Sequence, residues 1–190
     1  MKRVILITGG QRSGKSSYAE KMVLEMANGR AVYMATSRIW DEEFAHRVKL
    51  HQQRRGPQWI NIEEPKFLSR HDVSGRVVLI DCVTLWSTNF FFDLSTDTEQ
   101  GGKVTMTAGQ AAESADLVEQ ALQQIKEEFE KFISQDATFV FVTNEIGLCG
   151  VPENRLQRQF TDLLGWLNQY IASRADEVIF MVSGIPMKLK

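Results

Sequence analysis

Residues 9–16 read G-G-Q-R-S-G-K-S and follow the apolar run Val4-Ile5-Leu6-Ile7. A strand that runs into G-x-x-x-x-G-K-[ST] and opens a helix is a phosphate cradle. The chemistry divides among the residues. Gly9, Gly10 and Gly14 let the backbone come close to an anion. The backbone N–H groups of Gln11, Arg12 and Ser13 and the start of the following helix present positive charge to phosphate. Lys15 can reach β/γ oxygens, and the Ser16 hydroxyl can join a metal shell. The expected ligand is a nucleoside triphosphate with a divalent ion.

A second acidic group belongs with this loop. Residues 76–81 read R-V-V-L-I-D, a buried strand closed by Asp81. An acid at that place holds Mg²⁺, directly or through water, in proteins with this loop. A turn or capping role for Asp81 is the structural alternative.

The third candidate is His51, within the charged segment 41–55. At about 100° per residue, Phe44, Arg47, Val48, His51 and Arg55 fall within an arc of roughly 80° if the segment is helical. His46 points nearly the opposite way. An imidazole between two arginines and an apolar wall suits attack on a polyphosphate. The residues alone leave this open against a solvated or hydrogen-bonded histidine. His71 lies in the polar run S-R-H-D, where surface exposure is the default. Arg155 and Arg158 stand i,i+3 on a helix start, facing phosphate or solvent. The guanine-reading N-K-x-D motif of switch GTPases is absent, which counts against a regulatory GTPase.

The elements that must position these groups alternate. Strands are expected at 4–8, 31–35, 76–81, 138–143 and 177–182. Helices are expected at 16–26, 41–55, 111–134 and 154–174. Strands apolar throughout, separated by helices, imply an α/β fold with a mainly parallel sheet covered by helices on both faces. Ligands then bind at the C-terminal ends of the strands. Asn144-Glu145, after the fourth of these strands, lands on that edge. Residues 93–109, polar and rich in Gly and Thr, read as a mobile loop, either a substrate flap or an inert insertion.

The 190 residues carry a net charge of −2 and are 43% hydrophobic. That usage fits one globular domain spanning 1–190. No broad basic field points to nucleic acid. No apolar stretch reaches the roughly 18 residues of a membrane span. Lys2-Arg3 with a four-residue apolar run is too short for a signal peptide. Cys82 and Cys149 sit beside apolar residues and read as reduced core or near-core thiols of a cytoplasmic protein.

Nearly end to end, the chain resembles the bifunctional adenosylcobinamide kinase/adenosylcobinamide-phosphate guanylyltransferases of cobalamin assembly. The resemblance rests on the cradle at 9–16, Y-x-A-T-S at 33–37, D-x-E-x-x-x-R-V-x-x-H at 41–51 with Arg55, and W-x-x-x-E at 59–63. It continues through D-C-V-T-L-W-x-x-N at 81–89, V-T-N-E-I-G at 142–147, V-P-E-N-R at 151–155, and Asn168-Gln169. It closes with A-D-E-V at 175–178 and S-G-I-P-M-K-L-K at 183–190. Phe44 stands where methionine is common in the family, and Cys149 where glycine is common.

The resemblance implies a two-step enzyme of the P-loop NTPase type. ATP or GTP first phosphorylates the aminopropanol hydroxyl of adenosylcobinamide. GTP then donates GMP to a histidine, and adenosylcobinamide phosphate takes it up to give adenosylcobinamide-GDP. The family's guanylylated histidine falls on His51, a competent nucleophile when neutral near pH 7. The implied nucleotide contacts are the cradle, Ala35, Thr36, Ser37, Gln52, Gln53, Arg54, Arg55, Glu63 and Asp81, with Ser16 and Asp81 holding Mg²⁺. Lys15, Ser16 and Asp81 are all present, so both activities are expected. The family also implies a homotrimer. The competing reading is a simple P-loop small-molecule kinase in which His51 is structural.

Overall fold

The computed structural model describes residues 2–38, 56–99 and 108–190. The expected helix at 41–55, with His51, lies outside them.

Strand β1 (Arg3–Gly9) shows how the sequence makes a sheet with two covered faces. Side chains alternate across a strand. Val4 and Leu6 therefore enter one core, and Ile5 and Ile7 the other. Strands β2 (Ala31–Ala35), β4 (Val77–Asp81) and β5 (Thr138–Val142) follow the same rule: Val32, Met34, Val78, Ile80, Phe139 and Phe141 face the first core. Tyr33, Leu79, Val140 and Val142 face the second.

Helix α1 (Lys15–Met26) covers the second core with Ala19 and Val23. Helices α2 (Val83–Glu99), α3 (Ala108–Ile133) and α4 (Arg155–Arg174) cover the first. Phe129 and Phe132 of α3 meet Phe139 and Phe141 of β5 at centroid separations from 5.0 to 6.4 Å. Such aromatic pairs add about 0.5–1.5 kcal/mol each beyond their buried area.

With β3 (Trp59–Glu63), β6 (Glu177–Val182) and β7 (Ile185–Lys188), the sheet has seven strands in the order β3-β2-β4-β5-β1-β6-β7. Every pair is parallel except β6–β7. The register aligns the strand ends: Ala35 stands opposite both Glu63 and Asp81, Asp81 opposite Val142, and Ile7 opposite Val142. Ala35, Glu63, Asp81 and the cradle that follows Ile7 therefore reach one edge of the sheet.

The structure corrects three expectations. Asp93 to Glu99 complete α2, and Ala108 and Gly109 begin α3, so the segment 93–109 is not a loop at either end. The reason is that Trp86, Phe90 and Phe91 bury one helix face and carry the helix past its polar residues. Strands β3 and β7 add to the expected set. Cys149 is an exposed thiol rather than a core one, because it sits in the turn after β5, while Cys82 is half-buried.

Candidate active site at the strand ends

The phosphate cradle is built from a backbone that few residues could follow. Gly9 has φ 151° and Gly14 φ 94°. A Cβ on Gly9 would lie 2.5 Å from the Met181 carbonyl oxygen, and one on Gly14 would lie 3.3 Å from Gly184 Cα. Gly10 has neither constraint: a Cβ there meets only open space. The conformational reason offered for three glycines holds for two. Arg12 also takes a positive φ of 58°, a conformation costly for a side-chain-bearing residue. The turn after β6 seals this loop, with Gly184 N donating to Ser13 O at 2.9 Å.

Gly14 caps α1 without a side chain, and no acid stands in the first turn. The helix start thus presents its backbone N–H groups with no carboxylate in its own first turn. Lys15 is buried, and its ammonium donates to Gly10 O at 2.6 Å. Burial lowers its pKa, while Cys82 and Asp81 act in the opposite direction. An incoming polyphosphate would add its counter-charge to that of Asp81. Ser13 Oγ and Thr8 Oγ1 are buried without a hydrogen-bond partner. Orphaned hydroxyls around a cradle are what a phosphate and its metal ion would satisfy, so the residues present fit Mg-nucleotide. Ser16 follows Lys15 and is half-buried. Gln11 and Arg12 are exposed at the loop tip.

Asp81 ends β4 at the same edge. Its Oδ2 accepts from the Tyr33 hydroxyl at 2.6 Å. Sequence reading missed that partner, although Tyr33 sits one strand away in register with Leu79. The bond holds the carboxylate in one orientation. Among the described residues no group of three His, Cys, Asp or Glu side chains forms a metal cluster.

The loop after β2 is tied down rather than open. Thr36 is fully buried: its hydroxyl donates to Cys82 O at 2.8 Å and accepts from Cys82 N at 2.9 Å. Its role is to join the exits of β2 and β4, and its neighbours Ala35 and Ser37 are the half-buried groups there. The Cys82 thiol, between them, is pushed up to about 12 by burial and by Asp81, which makes it unreactive. Glu63 is exposed at the end of β3. Glu64 turns back. Burial raises its pKa, but hydrogen bonds from Phe67 N, Lys66 N and His71 outweigh that and leave it below the ordinary value. His71 is thus part of a surface turn.

After β5, Glu145 N donates to Gly9 O at 3.0 Å, so this loop borders the cradle. Thr143 donates to Asn168 Oδ1 at 2.8 Å, and Asn168 donates to Asn144 O at 3.2 Å. Arg158 spends its guanidinium on Pro152 O and Glu153 O, which fixes the preceding loop. His51, Gln52, Gln53, Arg54 and Arg55 lie outside the described residues. No described helix is long and apolar enough to cross a membrane.

Comparison with known proteins agrees with this geometry. The family described as cobinamide kinase / cobinamide phosphate guanyltransferase matches residues 5–189. The bifunctional adenosylcobalamin biosynthesis protein CobU of Escherichia coli is 37% identical over 196 residues, covering 98% of this chain and 99% of that protein. CobP of Pseudomonas aeruginosa, described in the same words, is 38% identical over 190 residues, covering 97% and 96%. Among solved structures, a prototypical ATPase from the type III secretion system of pathogenic bacteria superposes with a TM-score of 0.51. It is 11% identical, covering 95% of this chain and 51% of that one, a likeness of fold alone.

Proposed function

The chain belongs to the cobinamide kinase / cobinamide phosphate guanyltransferase family, and from that membership we propose how one strand-end site carries both activities. The enzyme phosphorylates adenosylcobinamide and then converts the phosphate to adenosylcobinamide-GDP.

In the first step the aminopropanol hydroxyl oxygen attacks the γ-phosphorus of ATP or GTP. The hydroxyl proton is lost and the nucleoside diphosphate leaves. The backbone of residues 9–14 cradles the phosphates. Lys15 releases Gly10 O and turns its ammonium onto the β/γ oxygens, where it stabilises the leaving charge. Ser16 and Asp81 would hold Mg²⁺, which neutralises phosphate oxygens when bound. Tyr33 keeps the Asp81 carboxylate in place.

In the second step the neutral imidazole of His51 attacks the α-phosphorus of GTP, and pyrophosphate leaves. A phosphate oxygen of adenosylcobinamide phosphate then attacks the same phosphorus. The P–N bond breaks with a ring proton in place, and His51 is free again. Splitting one transfer between two polyanions into two lowers each barrier. Gln52 to Arg55 and Glu63 contribute to the bound GTP. Ala35 and Ser37 line the nucleotide from the β2 exit.

One observation carries this reading: a buried lysine in a glycine cradle stands beside an oriented aspartate, at the edge where the family's motifs converge. Residues 1–190 act as one catalytic domain. Exposed Val182, Ile185, Met187 and Leu189, from the end of β6 to just past β7, supply an apolar surface for a homotrimer, which light scattering would report.

The test is incubation with GTP labelled at the α-phosphorus, in Mg²⁺. The expected adduct survives base, is lost in acid, maps to His51 and disappears in His51→Ala. Cobinamide phosphorylation without any adduct would leave a simple kinase.

A further inference from the structure

Helix α2 spends one stripe of side chains on two loops. Trp86, Asn89 and Asp93, spaced i, i+3 and i+7, share a helix face. Trp86 is fully buried, and its Nε1 donates to Lys66 O at 2.8 Å. Asn89 is 1% exposed and uses Nδ2 twice, donating to Thr36 O at 2.7 Å and to Pro65 O at 2.8 Å. Asp93 accepts from both terminal nitrogens of Arg38, at 2.5 and 2.8 Å, and from Lys66 Nζ at 3.0 Å. The Lys66 ammonium lies 4.4 Å from the Phe90 ring centroid. One helix face thus grips residues 36–38, after β2, together with residues 65 and 66, after β3.

The cost of this arrangement needs a reason. A buried asparagine is no gain in stability over a packed hydrophobe unless it fixes a geometry. The fork between Arg38 and Asp93 is the kind of bidentate pair that sets orientation as well as attraction. None of these contacts involves residues 9–16. Arg38 lies in the chain just before the segment that holds His51.

We propose that Trp86, Asn89 and Asp93 form a positioning clamp for guanylyl transfer: they fix the point from which the chain runs on to His51, without touching the phosphate cradle at residues 9–16 on which phosphoryl transfer depends. These are positioning residues that touch no reacting atom. The inference rests on His51 being the guanylylated group.

The experiment measures two rates in the full-length protein. One is formation of the covalent GMP adduct from labelled GTP, without corrinoid. The other is cobinamide phosphorylation with ATP, without GTP. Misplacing a reacting group by about 1 Å costs up to about a hundredfold. Asp93→Ala should therefore slow adduct formation by roughly tenfold to a hundredfold and leave phosphorylation within about twofold of the parent. Arg38→Ala should do the same, and the double variant should be no slower than either single one. Asp93→Glu, which keeps the charged fork, should recover most of the adduct rate.

Adduct formation unchanged in Asp93→Ala, or both rates falling in parallel with the melting temperature, overturns the clamp. Additive losses in the double variant overturn it too. A parent protein that forms no adduct on His51 removes the transfer reading itself, a failure visible before any variant is made.

Discussion

Gly9→Ala and Gly10→Ala differ by one position in the same motif, yet the structure assigns them opposite outcomes. At Gly9 the added Cβ would sit 2.5 Å from Met181 O and 2.9 Å from Ser13 Oγ. Met181 is paired with Gly9 across the β1–β6 ladder and is buried, so its carbonyl has nowhere to go. The positive φ adds about 1–2 kcal/mol. Forcing atoms into a packed site adds about 1–3 kcal/mol more. The sum is about 2–5 kcal/mol, and in a chain of this size it lowers the melting temperature by roughly 5–15 °C. The loop must also shift, so affinity for a fluorescent ATP analogue should fall at least about tenfold, or 1.4 kcal/mol. At Gly10 the methyl meets nothing within 4 Å, and stability should stay within about 0.5 kcal/mol of the parent. Thermal unfolding and nucleotide titration on the two variants decide the matter. A Gly9→Ala protein that melts and binds like the parent, or a Gly10→Ala protein equally damaged, would refute the steric argument.

Lys15→Met should melt at or above the parent temperature, because burial disfavours the lysine's charge, while cobinamide phosphorylation falls by about a hundredfold or more; a destabilised variant with normal turnover would contradict both halves. Arg38 first, then Lys66, pull the Asp93 pKa from 3.8 to about 2, against burial, which acts to raise it. A depressed folded value means that this stabilisation is complete above about pH 4 and is lost as pH falls toward about 2. The full shift corresponds to about 2.5 kcal/mol, but Asp93 is 39% exposed, so about 1 kcal/mol is expected after screening. Urea unfolding between pH 2 and 5 should then be flatter for Asp93→Asn by that amount, and identical slopes would reject it. Asn168→Ala leaves the Thr143 hydroxyl and the Asn144 carbonyl without their partner, costing about 1–3 kcal/mol in denaturant unfolding.

What could be read from the chain follows from what each element buries. β1, β2, β4, β5 and β6 are buried on both faces, so their apolar runs announce themselves. Trp59 to Glu63 was harder to read as a strand, because Asn61 and Glu63 face solvent while Ile60 and Ile62 pack only partly. β7 is exposed at all four residues and carries Pro186, at home only on an edge. α2 was hidden by its own polar residues: Thr84, Ser87, Asn89 and Asp93 look like loop composition, yet each is hydrogen-bonded within the fold. In the site, the placement of Lys15 and Asp81 followed from motif and strand end. The Tyr33–Asp81 bond and the use of the Thr36 hydroxyl on Cys82 did not, since both depend on which strands become neighbours. That order, β2 beside β4 with β5 between β4 and β1, is set by the whole sheet.

The contact between Ser13 and Gly184 also bears on biosynthesis. β1 leaves the ribosome before both its ladder partners, β5 and β6, and before the turn after β6 that closes its loop. A nascent chain therefore carries a cradle without these supports until β6 and the turn after it have emerged. Nucleotide capture then waits on the emergence of the β6–β7 hairpin.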